Sequence, residues 1–194
     1  MKILVIDDNE KNRKAAVAML TEHEVVIVAS YDEAMDLILG RVNNYDVLRA
    51  LGRPTDRGIC IDDEFRAKVA ELMPKFDFDL AFVDLMMPAS DQTLGYVCEH
   101  PRGAPMPYGF PLMINIAMRH AKQVKNIAIV SDVNHHEHAM SAALDSLGGY
   151  SGDPVEINGV HCWFIHAHLK QDGSKNWNYA LKRVVSPKEG MTAV

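Results

Sequence analysis

The chain has 194 residues, of which 48% are hydrophobic and 24% charged, and a formal net charge of -6. That length predicts one domain with elaborations and a core that needs no disulfides. The acidic balance argues against a general nucleic-acid or membrane-surface binder, and no apolar run reaches the roughly 18 residues that span a bilayer.

Ile3 to Ile6 form a continuous apolar run, the pattern of a strand buried on both faces of a parallel sheet. Asn9 to Leu20 follow with helical spacing, placing Ala15, Ala16, Met19 and Leu20 on one side. Glu24 to Ala29 read as a second buried strand. Ser30 and Glu33 then have capping-box spacing and open a helix through Ile38. From Gly40 to Pro74 the pattern loosens, with an Ile59–Asp62 strand candidate and a helix candidate from Asp63 to Leu72. Phe78 to Val83 make a third core strand that ends at Asp84. Residues 89–107 read as a Pro-rich loop, and Leu112 to Val124 as a helix. Asn126 to Val130 make a fourth strand, ending at Ser131, and Glu137 to Leu147 a further helix. Asn158-Gly159 centre a hairpin, Val160 to Ala167 give the fifth core strand, and Trp177 to Val184 mark a last helix. Alternating strands and helices predict an α/β fold with a parallel sheet. Cys60, Cys98 and Cys162 are scattered and odd in number, so no disulfide framework is expected and a reducing cytoplasm is the default compartment. Met1 to Ile6 run straight into acids, which does not suit a secretory leader.

In open α/β sheets the functional crevice lies at the carboxyl ends of the strands. If the first and third strands are neighbours, Asp7, Asp8 and Asp84 converge there. Clustered carboxylates repel, so they need a divalent cation or raised pKa values. Oxygen ligands without His or Cys suit Mg²⁺. A carboxylate facing Mg²⁺ can also act as a nucleophile and form an aspartyl phosphate. A hydroxyl such as Ser131 and an ammonium could then bind the phosphoryl oxygens.

Three segments carry a family resemblance: ILVIDDN at residues 3–9, FVDLMMP at 82–88 and IVSD at 129–132. Together they resemble the receiver domain of response regulators. The resemblance implies a flavodoxin-like, doubly wound sheet of five parallel strands in the order 2-1-3-4-5. One receiver-like domain is then expected over residues 1–186, with insertions near 41–75, 89–107 and 148–159 and a loose tail at 187–194. It implies that Asp84 is the phosphoacceptor and that Asp8 binds Mg²⁺ directly. Asp7 assists, and the backbone carbonyl of Met86 is a further ligand. Ser131 becomes the switch hydroxyl. The family's lysine after the fifth strand falls on Lys170 by its distance from Trp177, with Lys175 the alternative. The implied function is a Mg²⁺-dependent phosphorelay fed by a histidine kinase or histidine phosphotransfer protein. Its chemistry would not go beyond self-phosphorylation and autodephosphorylation. Output is expected through protein–protein contact, with no direct nucleic-acid or membrane partner. The insertions would supply that contact or a homodimer surface.

The chain departs from the family at Asp132, which adds a fourth acid, at Ala167 in the switch-aromatic position, and at Gln171, where a proline would follow Lys170. These departures favour one rival, a degenerate receiver that binds without being phosphorylated. A second rival is a Mg²⁺-dependent phosphohydrolase, although Asp84 lacks the second acid two residues on that the haloacid-dehalogenase type uses. Simpler roles are also open: Asp7 and Asp8 as helix caps, Ser131 as an N-cap and Lys170 as a solvated lysine. His135, His136, His138, His166 and His168 are read as partly exposed helix-start and strand-end residues in preference to a zinc site.

Overall fold

The computed structural model describes residues 1–56, 59–90, 107–132 and 153–186. They belong to two compact units, Met1–Ala34 with Asp77–Val194, and Met35–Phe76.

The first unit is built on β1 (Lys2–Ile6), β2 (Glu24–Val28), β3 (Leu80–Val83), β4 (Asn126–Ser131), β5 (Val155–Ile157) and β6 (Val160–His166). Their order is β2-β1-β3-β4-β6-β5. The apolar runs of β1, β3 and β4 take the middle, where both faces are covered, while β2 (EVVIV), equally apolar but mostly half-buried, lies outside them at the sheet edge. Ile6 pairs with Val28 on one side and Val83 on the other, so β1 and β3 end level. Asp7 and Asp84 therefore leave the sheet side by side.

The five parallel strands follow the expected 2-1-3-4-5 order. The observed sheet corrects that expectation by one strand, because β5 adds antiparallel to β6 through the Asn158-Gly159 turn. Asn158 (φ 54°) and Gly159 (φ 77°) both lie in the left-handed region, as a type I′ hairpin requires. Asn158 also donates through Nδ2 to the Ala117 carbonyl at 3.1 Å.

Helix α1 (Glu10–Met19) is capped by Asn9, whose side chain accepts from the Lys11 N–H. Helix α2 starts at Tyr31 and runs to Leu39. At its start Ser30 Oγ accepts from the Glu33 N–H, and Glu33 reaches back to the Ala29 N–H. Ile3, Val5, Phe82, Val130 and Trp163 from the sheet form a core with Ala16 and Leu20 of α1 and with Trp177, Ala180 and Val184. Each such fully buried large side chain contributes about 1.5–3 kcal/mol.

In the second unit, α3 (Asn44–Ala50) is capped by Asn43 and α4 (Asp63–Leu72) by Asp62. Val47, Leu48 and Phe65 are its core, packed by Val42, Leu51 and Val69. Ile59–Asp62 is not a strand: Asp62 accepts from the Phe65 N–H, which starts α4 instead. Asn43-Asn44 is the signal for α3, hidden among the Gly and Pro residues around it. Arg53 pairs with Asp62 at 2.9 Å and with Glu64.

Helix α5 (Gly109–His120) begins three residues earlier than its apolar spacing suggests, and α6 (Trp177–Val185) is the last helix. The helix expected over Glu137–Leu147 lies outside the described residues, as does the tail after Ser186.

Candidate functional site

The site forms where β1, β3 and the segment before α6 meet. Asp7 is fully buried and Asp84 is 7% exposed, while Asp8 is the most open of the three. Their carboxylate oxygens lie within 4.8 Å of one another. Register accounts for this: the Asp7 N–H donates to the Val28 carbonyl, and the Asp84 N–H donates to the Ile6 carbonyl at 2.8 Å, prolonging the sheet by one bond on each side.

A buried ammonium joins these acids. Lys175 is 1% exposed, and its Nζ donates to Asp7 Oδ2 at 2.8 Å and to Asp84 Oδ1 at 2.7 Å. The expectation of Lys170 is therefore corrected: Lys170 is exposed, and Lys175 reaches the acids. Between the two lysines the chain makes a tight reversal. The Gly173 N–H donates to the Lys170 carbonyl, the Lys170 N–H to Ser174, and the Asn176 N–H to His168. Gly173 has φ 79°, and Asp172 holds the Ser174 N–H and hydroxyl. Spacing counted along an extended chain misses this doubling back; the Asp172-Gly173 pair is the turn signal that could have revealed it.

Asn12 is the residue that sequence reasoning missed. It is 5% exposed on α1. Its Nδ2 donates to both oxygens of Asp7 at 3.2 Å, and its Oδ1 accepts from the Lys175 N–H at 3.1 Å. Its carbonyl accepts from Trp177 Nε1 at 2.9 Å. Arg13 donates to the backbone carbonyls of Asp7 (2.9 Å) and Asp8, which ties the acidic turn to α1.

The carboxylates differ in their free capacity. Asp7 Oδ1 accepts from the Asn9 N–H and from Asn12, and Oδ2 from Asn12 and Lys175. Those contacts occupy the roughly four acceptor sites of a carboxylate. Asp84 Oδ1 accepts from its neighbour's N–H, that of Leu85, at 2.8 Å as well as from Lys175. Among the described residues no donor is recorded on Asp84 Oδ2.

Burial pushes the Asp84 carboxyl up to about 7, opposed by Lys175 and reinforced by the charges of Asp7 and Asp8. Asp8 is also raised, first by burial and then by Asp7. Burial alone would lower Lys175, but the Asp84 and Asp7 charges outweigh it and hold the ammonium protonated. One ammonium thus contacts two of the three acids, with Arg13 acting more weakly on Asp8, and the repulsion among the carboxylates stays partly uncompensated.

Ser131 ends β4 and is buried, and its carbonyl accepts from the Ala167 N–H at 2.7 Å. With Leu85, Phe110 and His166 it lines a small cavity beside the Asp84 turn. Gly109 packs so closely there that an added Cβ would lie 2.3 Å from the Asp84 carbonyl oxygen. Met86 follows in the same turn and is partly exposed. His166 and His168 are exposed, and His168 stacks on Tyr179 at 4.0 Å between centroids. His135, His136 and His138 lie outside the described residues.

No family model and no curated protein sequence matches the chain. Among solved structures it is similar to the response regulator protein TrrA from Thermotoga maritima, solved in complex with Mg²⁺-BeF. That likeness has 14% identity over 94% of this chain and 96% of that one, with a TM-score of 0.44. It is also similar to the bacteriophytochrome response regulator AtBRR, with 12% identity over 93% and 89% of the two chains and a TM-score of 0.45. Likenesses this distant transfer no residue role. By its own strand order, the chain has a flavodoxin-like fold extended by one antiparallel strand.

Proposed function

We propose that the chain is a phosphoacceptor of the receiver type, with Asp84 as the nucleophile and a divalent cation held by Asp8 and Asp84, while Asp7, whose oxygens are already engaged, assists through its charge. The observation that carries this reading is the convergence of three carboxylates and one buried lysine at the carboxyl edge of a parallel sheet. The donor set is all oxygen and carries excess negative charge, which fits Mg²⁺. The Met86 carbonyl is the proposed additional ligand. When bound, Mg²⁺ supplies positive charge against the phosphoryl oxygens.

The chain's own groups account for the rest. Asp84 Oδ2 attacks the phosphorus of a phosphohistidine on a kinase or phosphotransfer protein. The P–O bond forms as the P–N bond breaks, and the leaving imidazole takes up a proton. The Leu85 N–H and the Lys175 ammonium hold Oδ1 and leave Oδ2 as the attacking oxygen. Lys175 then neutralises charge on the transferred group, and the Ser131 hydroxyl donates to one of its oxygens. Output follows from movement of Ser131 toward the phosphoryl group and passes to a protein partner.

One observation favours the second reading, a binding module that is not phosphorylated. Lys175 already fills Asp7's last acceptor site, so the pocket is internally neutralised in part without any cation. Titration with beryllofluoride in the presence of Mg²⁺ separates the two. Saturable binding that requires Mg²⁺ and is lost in Asp84→Asn supports the phosphoacceptor. No binding by the wild type supports the module. Continuous release of phosphate from phosphate monoesters would instead indicate a phosphohydrolase.

A further inference from the structure

We propose that Asn12 is a positioning residue that sets where the Lys175 ammonium sits, acting from α1 on both ends of the site at once. The proposal rests on the phosphoacceptor reading for its consequence and on geometry alone for its mechanism.

Lys175 reaches the acids from the far end of the chain, 168 residues from Asp7 and 91 from Asp84. Its backbone arrives on a reversal whose other bonds, Lys170 to Ser174 and Asn176 to His168, lie within the same segment. Those bonds shape the turn, and Trp177 Nε1 ties the start of α6 to the Asn12 carbonyl two residues further on. The Asn12 side chain makes the tie at Lys175 itself. Its Oδ1 takes the Lys175 N–H at 3.1 Å, and its Nδ2 sits against the Asp7 carboxylate at 3.2 Å from each oxygen. One planar amide therefore spans the main chain of the lysine and the side chain of the acid that the lysine contacts. A displaced Lys175 would lose its bonds to Asp7 and Asp84 together, because hydrogen bonds weaken steeply with distance and angle.

A residue that served only packing would behave differently. The anchor between α1 and α6 is the bond from Trp177 Nε1 to the Asn12 carbonyl, which any substitution at position 12 retains. Replacing the side chain therefore removes the amide bridge and leaves that anchor. Alanine is the preferred replacement, since it favours the helix. Leucine tests the same loss while filling the space.

The test reads Lys175 directly. Amine acylation followed by mass spectrometry should find Lys175 protected in the wild type and modified at least about tenfold faster in Asn12→Ala and Asn12→Leu, with other lysines unchanged. Beryllofluoride affinity in saturating Mg²⁺ should fall about tenfold in the same variants. In a Lys175→Met background the Asn12 substitutions should change that affinity by less than about twofold, because the effect travels through the lysine. Protection of Lys175 equal to wild type in both Asn12 variants would overturn the proposal. So would full additivity in the double variants. If the wild type binds no beryllofluoride, the phosphoacceptor reading falls, while the acylation comparison still decides the role of Asn12.

Discussion

Replacing Lys175 with methionine should make the protein less stable yet a better cation binder. Methionine keeps the length of the side chain and removes its charge. In the native pocket the ammonium is 1% exposed and touches Asp7 at 2.8 Å and Asp84 at 2.7 Å. Removing one partner of such a buried pair costs about 3–5 kcal/mol, because the remaining charges are left uncompensated. Asp84, pushed up to about 7, can relieve part of that cost by taking a proton. The loss should therefore be smaller at pH 6 than at pH 8. Urea denaturation without divalent cations measures it. The same substitution opens the Oδ2 acceptor site of Asp7 that Lys175 fills, so Mg²⁺ no longer competes with an ammonium. Mg²⁺ affinity by calorimetry should rise about tenfold, which corresponds to about 1.4 kcal/mol. At Mg²⁺ one hundred times its dissociation constant, roughly 2.7 kcal/mol of stability should return. Unchanged stability together with unchanged or weaker Mg²⁺ binding would refute the reasoning, because Lys175 would then not be the cation that the acids rely on.

Further outcomes follow from the same geometry. Because the folded pKa of Asp84 lies above its ordinary value, the native state holds a proton that the unfolded chain has already lost between about pH 4 and 7. Stability without metal should therefore decline as pH rises through that window, and Asp84→Asn, which mimics the neutral form, should flatten the decline in denaturation curves. Mg²⁺ affinity should rise with pH up to about 7, as cation and proton compete for the same carboxylate. Gly109→Ala should cost about 1–3 kcal/mol, since its Cβ cannot sit 2.3 Å from the Asp84 carbonyl oxygen without moving the turn. Thermal unfolding reads that change, and Lys170→Ala should leave stability within about 0.5 kcal/mol of wild type.

The parallel core was legible because its physics is local. Runs such as Ile3–Ile6 and Leu80–Val83 are too apolar to sit at an exposed position, and each ends in an acid at the same edge of the sheet. Asp7, Asp8 and Asp84 could thus be brought together from sequence alone. Lys175 could not be chosen over Lys170, because the choice depends on a reversal of the chain after β6 that strand spacing does not encode. Asn12 was invisible for a related reason. An asparagine on the first turns of a helix reads as a solvated residue until the segment before Trp177 is folded over it. The pair of helices between Met35 and Phe76 was half legible. Asp62 and the spacing of α4 announced one helix, while α3 was masked by the Gly40, Gly52 and Pro54 that surround it.

The most direct measurement is the intact mass of the protein after incubation with acetyl phosphate and Mg²⁺. A single phosphoryl adduct should form in the wild type, be labile at alkaline pH, and be absent in Asp84→Asn and when Mg²⁺ is chelated. A wild-type protein that gains no adduct, or an Asp84→Asn variant that gains the same one, would contradict the assignment of Asp84 as the phosphoacceptor.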